Sequence, residues 1–418
     1  MTHLSALRTV AALWLCLANP AWAQTSSDIL TLEAATALAL DTAPLLKARQ
    51  AERDAADGRQ AQAGAWPNPA LDLEIENFAG SGAFEGGRSA ELFAGVSQTV
   101  ELGGKRDARR ARAGAGQDSA ALALGAARVE LIRDVHMAYE SVLVETEALR
   151  LARHQEALAE DILALVKKRV KAAASSDIQQ SKAEVALSTA QIARANTERA
   201  LAAARTGLAS LIGAGPAARP LDAEHFFELA APEPLAVYES RLAATPALLM
   251  ADAEQKARRA DIVAARARAV PDPEFRFGVR HFAEGNDTAL AVGASVPIPV
   301  LNRNEGGIAE TEALYRRELN LGAETERRVR QALGEAWQDW QAAHEEAVRF
   351  KTGLIPAAEQ AFDLSRQGYE RGRFPFLEVL DAQRTLIEAR AHYHAALRRY
   401  HQARAEVERL TTPFGDLP

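Results

Sequence analysis

The chain has little aromatic content, a single cysteine and, beyond its first residues, no long hydrophobic run. Phe, Trp and Tyr make up 6% of its 418 residues, whereas alanine, arginine, glutamate and leucine are abundant, a composition typical of long packed helices. The most apolar later stretch, residues 289–301, is interrupted by Pro297 and Pro299. It is shorter than the roughly 20 residues of a membrane-spanning helix. The formal net charge is −7 with both signs interspersed, which argues against nucleic-acid binding.

The first residues have the organisation of a secretory signal. An apolar run over residues 10–18 is followed by the small-x-small sequence Ala-Trp-Ala at 21–23, so we predict cleavage before Gln24. Cys16, the only cysteine, lies inside this segment, and the leucine before it is not the small residue that lipidation requires. We therefore predict a signal peptide over residues 1–23 and an exported mature chain without lipid or disulfides.

The chain contains an internal repeat with an offset of about half its length. Two proline motifs recur at a nearly constant offset: Thr-Ala-Pro44 with Ala-Thr-Pro246, and Trp-Pro67-Asn-Pro with Val-Pro271-Asp-Pro. Each copy is predicted to begin with a helix, over residues 30–64 and 235–269. A hairpin, a very long helix, a tight turn and a return helix then follow in both halves. The repeat therefore indicates a duplicated fold unit.

This order divides the chain into four parts after the signal peptide. We predict a first structural repeat over residues 24–215 and a Gly/Pro-rich linker over 216–234. The second repeat is predicted over residues 235–412, with a short C-terminal tail over 413–418.

Each repeat contains two strand-like runs, at about 70–78 and 91–100 and at about 274–282 and 288–298. Apolar and charged residues alternate with period two; the apolar set is Leu71, Leu73, Ile75, Phe275 and Phe277, and the charged set is Asp72, Glu74, Glu76, Glu274 and Arg276. Four strands cannot close a barrel, so closure requires several chains. The pattern favours a barrel with a watery interior and a lipid-facing outside over a small soluble sheet packed on helices.

Long helical stretches lead from the strands to a tight turn in each repeat. No proline occurs over residues 105–171, and apolar residues recur at heptad-like spacing, which predicts one helix about 100 Å long. The corresponding stretch of the second repeat, 304–368, contains Pro356, where we expect a kink. Tip turns are predicted at 172–177 and 371–376.

Several motifs resemble the TolC-type outer membrane efflux proteins, across essentially the whole mature chain. The strongest is Gly-Tyr-Glu-Arg-Gly-Arg-Phe-Pro-Phe-Leu-Glu-Val-Leu-Asp-Ala-Gln-Arg-Thr-Leu at 368–386. A weaker counterpart lies 199 residues earlier, at 169–183, with Ala173 where glycine is usual. The strand exits at 101–106 and 299–306 are similar to those of the cobalt-zinc-cadmium (CzcC-like) subgroup.

The resemblance implies a mainly α fold with a β-barrel part. It implies a homotrimer with a 12-stranded outer-membrane β-barrel, surrounded by outer-membrane lipid and continued by an α-helical barrel through the periplasm. The implied function is the passive exit duct of a tripartite RND-type pump. Its partners are a periplasmic membrane fusion protein, which acts as adaptor, and an inner-membrane RND transporter. The subgroup implies export of heavy-metal cations.

Two alternatives remain open on the same residues. A channel of this family could instead export drugs or solvents, or serve type I protein secretion. A periplasmic coiled-coil scaffold or adaptor without a barrel is the alternative from a different class.

Glu378 and Asp381 are the first candidate functional residues. They lie three residues apart at the start of the last helix, so they share a face. The resemblance implies that they line the narrow periplasmic aperture, where three chains place six carboxylates around one pore and attract cations. The competing interpretation is that both acids only stabilise a helix N-terminus. The first repeat has Gln179 and Lys182 at the matching positions.

A latch that closes the tip is the second hypothesis. Phe374 stands where a gate-pairing arginine can occur in the family, and Arg371 and Arg373 are adjacent to it. We expect Tyr369 and these two arginines to hold the closed tip together.

The tip turns are the predicted docking sites for the adaptor, since a small residue at each tip lets another helix approach closely. The candidate residues are Ala173, Ser175 and Ser176 in the first repeat and Gly372, Phe374 and Pro375 in the second. The alternative is an ordinary helix–helix turn without a partner.

No catalytic or metal-binding constellation is visible in the sequence. His392 and His394 are two residues apart and point to different sides of a helix, and His401 is seven residues further on. We expect no metal site, no cofactor and no enzymatic activity, since no nucleophile–base set is present.

Overall fold

The computed structural model describes residues 29–416, in which long helices accompany one four-stranded antiparallel sheet. The helices are α1 Leu32–Thr42, α2 Pro44–Ala63, α3 Lys105–Lys171, α4 Asp177–Ile212, α5 Ala214–Ala217, α6 Leu235–Glu239, α7 Pro246–Arg268, α8 Glu305–Arg349, α9 Ile355–Glu370 and α10 Phe376–Thr411. The strands are β1 Ala70–Glu76, β2 Glu91–Thr99, β3 Glu274–Phe282 and β4 Asp287–Ser295. The predicted mainly helical fold with a small sheet is confirmed. The predicted signal peptide and Cys16 lie outside the described residues.

The helices that open the two repeats are shorter than predicted. The helix expected over 30–64 is divided at Ala43 into α1 and α2, and the helix expected over 235–269 is divided into α6 and α7. α2 and α7 begin with Pro44 and Pro246. Proline has no N–H to donate and its ring clashes with the carbonyl of the preceding turn. It is tolerated at the first helical position, so a new helix starts at each proline.

The two long helices differ in continuity. α3 runs over 67 residues without a break, which corresponds to a length of about 100 Å. In the second repeat a five-residue π-helical segment, Phe350–Leu354, separates α8 from α9. Pro356 follows it at the start of α9. Because proline has no N–H donor, one backbone hydrogen bond is missing there, and the π segment is the local change in the hydrogen-bond pattern that accompanies it.

The helices are neighbours in a definite order. Towards the tip turns the order is α4–α3–α10–α9, and towards the sheet it is α2–α3–α7–α8. α2 and α4 therefore form one edge of the protomer, and α8 and α9 form the other. Within the described chain, neither edge packs along its length against the opposite edge.

The sheet has the same open arrangement. Its strands follow one another in chain order, and the two repeats join where β2 pairs with β3, with Phe93 opposite Arg280. The outer edges of β1 and β4 have no partner strand among residues 29–416. β1 ends at Glu76, before Asn77 takes a left-handed conformation with φ 55°, and β4 ends at Ser295.

The buried residues form separate clusters along the helices. The cluster nearest the tips contains Ile162, Val166, Phe362, Tyr369, Phe376 and Val379. A second cluster, halfway along, ties the first residues and the linker to α3, because the Tyr139 hydroxyl lies 2.7 Å from the Leu30 carbonyl and 3.0 Å from that of Asp222. Burial raises the pKa of Tyr139 to about 12, which keeps the hydroxyl protonated as the donor. No helix over residues 29–416 is both long and apolar enough to cross a membrane.

Candidate gate at the helical tips

The turns that end the two helical hairpins have the same backbone geometry. In the first, the Ala173 N–H donates to Val170 and the Ala174 N–H to Arg169, at 2.9 and 2.8 Å. In the second, the corresponding N–H groups, of Gly372 and Arg373, donate to Tyr369 and Gly368 at the same two distances. Each donor and acceptor pair of the second turn lies 199 residues after its counterpart, which is the offset of the sequence motif.

Both turns need one residue in the left-handed region. Ala173 has φ 55° and Gly372 has φ 72°. Glycine adopts this conformation at no steric cost, whereas an L-residue such as alanine crowds its own Cβ there, at a cost of roughly 1–2 kcal/mol. The alanine that departs from the family motif therefore keeps the glycine conformation.

Tyr369 is the centre of the contacts between the two tips. Its side chain is 3% exposed, and its ring packs against Phe376 with a centroid separation of 5.4 Å. The Arg169 guanidinium lies 4.6 Å from the centre of the Tyr369 ring and donates a 2.8 Å hydrogen bond to the Tyr369 carbonyl. The Tyr369 hydroxyl lies 3.3 Å from the Gln179 side-chain oxygen and 3.4 Å from the Ser175 hydroxyl.

Within the described chain, the arginine that contacts Tyr369 is Arg169. Arg371 and Arg373 are exposed, and within residues 29–416 neither makes a hydrogen bond or an ion pair through its side chain. Inside one chain, the structure brings Tyr369 together with Arg169 of the first repeat and leaves both predicted arginines facing outwards.

Glu378 and Asp381 occupy the same exposed side of α10. Glu378 lies in the first turn of the helix, where a carboxylate interacts favourably with the helix dipole. Within the described chain neither carboxylate has an ion-pair partner, although Asp381 contributes, after Glu388, to the raised pKa of Arg384 on the same helix. Both side chains are exposed to solvent at the end of the molecule that carries both turns.

The predicted docking residues are not equally accessible. Ala173, Ser176, Gly372 and Pro375 are exposed. Ser175 is half-buried, because its hydroxyl contacts Arg169 and Tyr369. Phe374 is also exposed, but its ring lies over Gly368, where an added Cβ would be 2.0 Å from the ring.

Arg169 and Gln179 are functional candidates that sequence analysis missed. The only signal for Arg169 is its place in the repeat, since it stands where the second repeat has Gly368. Arg169 contacts Ser175, and Gly368 accommodates Phe374, so the same pair of positions meets in both turns.

The histidines of the last helix lie in separate surroundings. His401 is buried, stacks on Phe226 and lies 3.1 Å from that residue's carbonyl through Nε2. His392 stacks on Phe350, and burial lowers the pKa of His394. Within residues 29–416, no group of three or more His, Cys, Asp or Glu side chains could hold a metal ion.

Comparison with known proteins identifies the family. The family described as outer membrane efflux protein matches residues 36–214 and 237–412, one segment in each repeat. The chain belongs to this family. Membership makes it an outer-membrane efflux channel.

Three relatives cover most of its length. The cobalt-zinc-cadmium resistance protein CzcC of Cupriavidus metallidurans is 29% identical, over 94% of this chain and 92% of that protein. The nickel-cobalt-cadmium resistance protein NccC of Alcaligenes xylosoxydans xylosoxydans is 27% identical, over 64% and 61%. The pyoverdine export outer membrane protein OpmQ of Pseudomonas aeruginosa is 27% identical, over 76% and 69%. The resemblance to the CzcC-like subgroup is thereby confirmed.

Solved structures of this kind share the fold. The outer membrane protein VceC of Vibrio cholerae superposes with a TM-score of 0.76, at 19% identity, over 91% of this chain and 96% of that one. A membrane protein of Pseudomonas aeruginosa gives 0.78, also at 19% identity, over 91% and 90%. The predicted TolC-like fold is confirmed.

Proposed function

We propose that this efflux channel is the exit duct of a tripartite pump that exports heavy-metal cations. The observation that carries the proposal is the pair of exposed, internally unpaired carboxylates of Glu378 and Asp381 at the tip. The names of CzcC and NccC supply the cargo class. The chain is exported with cleavage before Gln24, resides in the outer membrane and extends into the periplasm.

The two edges of the protomer support a trimer. On α4, Ile178, Val185 and Ile192 are exposed and spaced by seven residues. On the opposite edge an exposed apolar row, spaced by three, four and three residues, consists of Leu354, Ala357, Ala361 and Leu364. Such spacing is typical of helices that pack side by side. Because the two edges differ, they form a head-to-tail contact that closes into a ring.

The sheet supports the same closure. β1 and β4 have free edges on opposite sides of the sheet, so β4 of one copy can pair with β1 of the next. Three copies supply twelve strands. The apolar face, where Leu71 is 72% exposed, is then the lipid-facing outside of the barrel.

At the other end, three copies place six carboxylates around one aperture. Glu378 and Asp381 face outwards from the helix pair, so they remain available to line a pore formed by neighbouring chains. A ring of this kind attracts cations and repels anions. Arg371 and Arg373, which have no partner within residues 29–416, are available for contacts between chains.

Block of single-channel current tests the carboxylate ring. In a planar bilayer, Co²⁺ or Zn²⁺ should reduce the K⁺ current of the trimer, and Glu378→Ala/Asp381→Ala should weaken this block about tenfold, since two carboxylates per chain are removed. The matched control is Lys182→Ala, at the position of the first repeat that is equivalent to Asp381. Unchanged block in the acidic variant would overturn the ring.

Export of a different cargo is the second candidate, because OpmQ is a pyoverdine export protein. A strain that lacks this chain should accumulate cobalt, zinc or cadmium and recover when the chain is restored. Unchanged metal content, together with retention of an organic compound, would favour the second candidate.

A crosslinking scan tests the adaptor docking. The described residues contain no cysteine, so single cysteines can be placed at Ala173, Ser176, Gly372 and Pro375, with a control at Arg349 in the helical body. We expect photo-crosslinks to the adaptor from the tip positions only. Absence of crosslinks at both turns would remove this part of the proposal.

The edge contact has its own test. Val185→Asp places a charge in the exposed row of α4 and should abolish the heat-modifiable trimer, whereas Gln191→Asp, on the side of the same helix, should leave it intact. A trimer that survives Val185→Asp would contradict the assigned edge.

A further inference from the structure

The polar face of the sheet carries an ordered set of ion pairs around two arginines of β3. Arg276 lies 2.9 Å from the Glu74 carboxylate and 3.6 Å from that of Asp72. Both acids belong to β1, so the Arg276 side chain crosses β2 to reach them. Each of these ion pairs therefore links the two repeats.

The second arginine, Arg280, forms a similar group four residues further along β3. Arg280 lies 2.9 Å from the Glu76 carboxylate and 2.8 Å from that of Glu91. Each arginine is thus shared by two carboxylates, and each group of one arginine and two carboxylates retains one negative charge.

Phe93 holds both arginines in place. It is 3% exposed although it lies on the polar face, because its ring covers Gly95 and Gly278. A Cβ at these glycines would come within 2.4 and 2.6 Å of the ring. The Arg276 guanidinium lies 4.1 Å from the ring centre and that of Arg280 lies 6.0 Å from it, both within the range of cation–π contacts.

β4 contributes no positive charge to the same face. Its residues in register with the polar face of β3 are Asp287, Ala289, Ala291, Gly293 and Ser295. In the trimer, β4 of one copy lies beside the acids of β1 in the next. The acids therefore meet no positive charge from β4, and the two arginines are the only cations among the strand residues of this face.

The charges on this face do not balance. It carries six carboxylates, Asp72, Glu74, Glu76, Glu91, Glu274 and Asp287, against two arginines, so the difference is −4 in each chain (two minus six) and −12 in three chains.

We propose that this polar face makes the lumen of the barrel cation-selective and that Arg276 and Arg280, held on Phe93, set how strongly. The proposal rests on the trimeric channel proposed above. Twelve strands about 4.8 Å apart and tilted by about 40° give a backbone radius of roughly 12 Å. Side chains project inwards from that wall, and the screening length is about 8 Å at 0.15 M salt. The wall charges therefore act across most of the lumen, and hydrated divalent cations meet a second negative region after the tip.

Reversal potentials across a planar bilayer in a KCl gradient test this proposal. The Glu378→Ala/Asp381→Ala background removes the contribution of the tip. In this background we expect a K⁺/Cl⁻ permeability ratio above one at 0.1 M. Arg276→Gln or Arg280→Gln should raise the ratio about two-fold, and Glu74→Gln or Glu76→Gln should lower it about two-fold. All these shifts should shrink at 1 M salt, where the screening length is about 3 Å.

Paired variants provide the control for structural damage. Arg276→Gln/Glu74→Gln keeps the net charge and should return the ratio to that of the background, and Arg276→Lys should preserve it. If Arg276→Gln does not assemble, Arg280→Gln tests the same point in the other group. A conducting trimer with a K⁺/Cl⁻ permeability ratio of one overturns this inference and leaves the exit-duct function intact. The same holds if neither the arginine variants nor the glutamate variants change the ratio. A parent chain that forms no channel overturns the proposed function itself.

Discussion

The turn between α3 and α4 and the turn between α9 and α10 follow the same backbone path and differ in what their side chains do. Ala173 and Gly372 take the same left-handed conformation, and both turns use equivalent hydrogen bonds. In the second turn Phe376, the first residue of α10, is buried, whereas its counterpart Asp177, the first residue of α4, is exposed. The second tip is therefore anchored in an apolar cluster, and the first is not.

The difference extends to the contact between the tips. Tyr369 of the second tip is buried, while its counterpart in the first repeat, Val170, is only partly so. The first repeat instead supplies the polar groups that contact Tyr369, namely Arg169, Ser175 and Gln179. One tip carries the aromatic anchor and the acids, and the other contacts that anchor through polar side chains. The proposed gate residues therefore lie in only one repeat.

Truncation of the two equivalent side chains, Tyr369 and Val170, should show the largest difference in stability between the two tips. Tyr369→Ala removes a buried ring and should destabilise the tip locally by about 3–5 kcal/mol, whereas Val170→Ala should cost about 1 kcal/mol. Hydrogen–deuterium exchange of the assembled protein measures both effects. We expect Tyr369→Ala to accelerate exchange in both turns, since Tyr369 contacts both, and Val170→Ala to affect the first turn alone. Similar exchange in the two variants would contradict the asymmetry.

The arginine contact comes next in size. Arg169→Gln removes the hydrogen bond to the Tyr369 carbonyl and the contact with its ring, and should loosen the tip by about 1–3 kcal/mol. Arg169→Lys keeps the positive charge but lacks the planar guanidinium group. The stability of its tip should lie between that of Arg169→Gln and that of the unmodified protein. Lys168→Gln is the control for the loss of charge, because Lys168 precedes Arg169, is exposed and has no ion-pair partner in the described chain. The measurement is the open fraction of single channels at low voltage, and equal values for Arg169→Gln and Lys168→Gln would argue against the contact between Arg169 and Tyr369 as a latch.

Features formed by residues close together in the chain could be predicted from the sequence, whereas contacts between distant residues could not. Both tips could be predicted because the signals are local, a left-handed residue between two helical patterns in each repeat. The partner of Tyr369 could not be predicted, since Arg169 is 200 residues away and nothing around it marks the contact. The alternation of the strands was readable for the same local reason. The role of Phe93 was hidden, because an aromatic residue on a polar face has meaning only beside Gly95 and Gly278 of two different strands.

The smallest effect concerns the backbone that the two turns share. Ala173→Gly should stabilise the first turn and Gly372→Ala should destabilise the second, each by about 1 kcal/mol, because both positions have positive φ and only glycine lacks the crowded Cβ. The gain at Ala173 is reduced by the greater freedom of glycine in the unfolded chain, so it should be the smaller of the two. Exchange rates of the turn amides measure both changes in the same assembled protein. Stability changes of opposite sign in Ala173→Gly and Gly372→Ala would show that the two turns share one backbone conformation that favours glycine. Destabilisation by Ala173→Gly would instead mean that the Ala173 methyl group makes a stabilising contact that the second turn lacks.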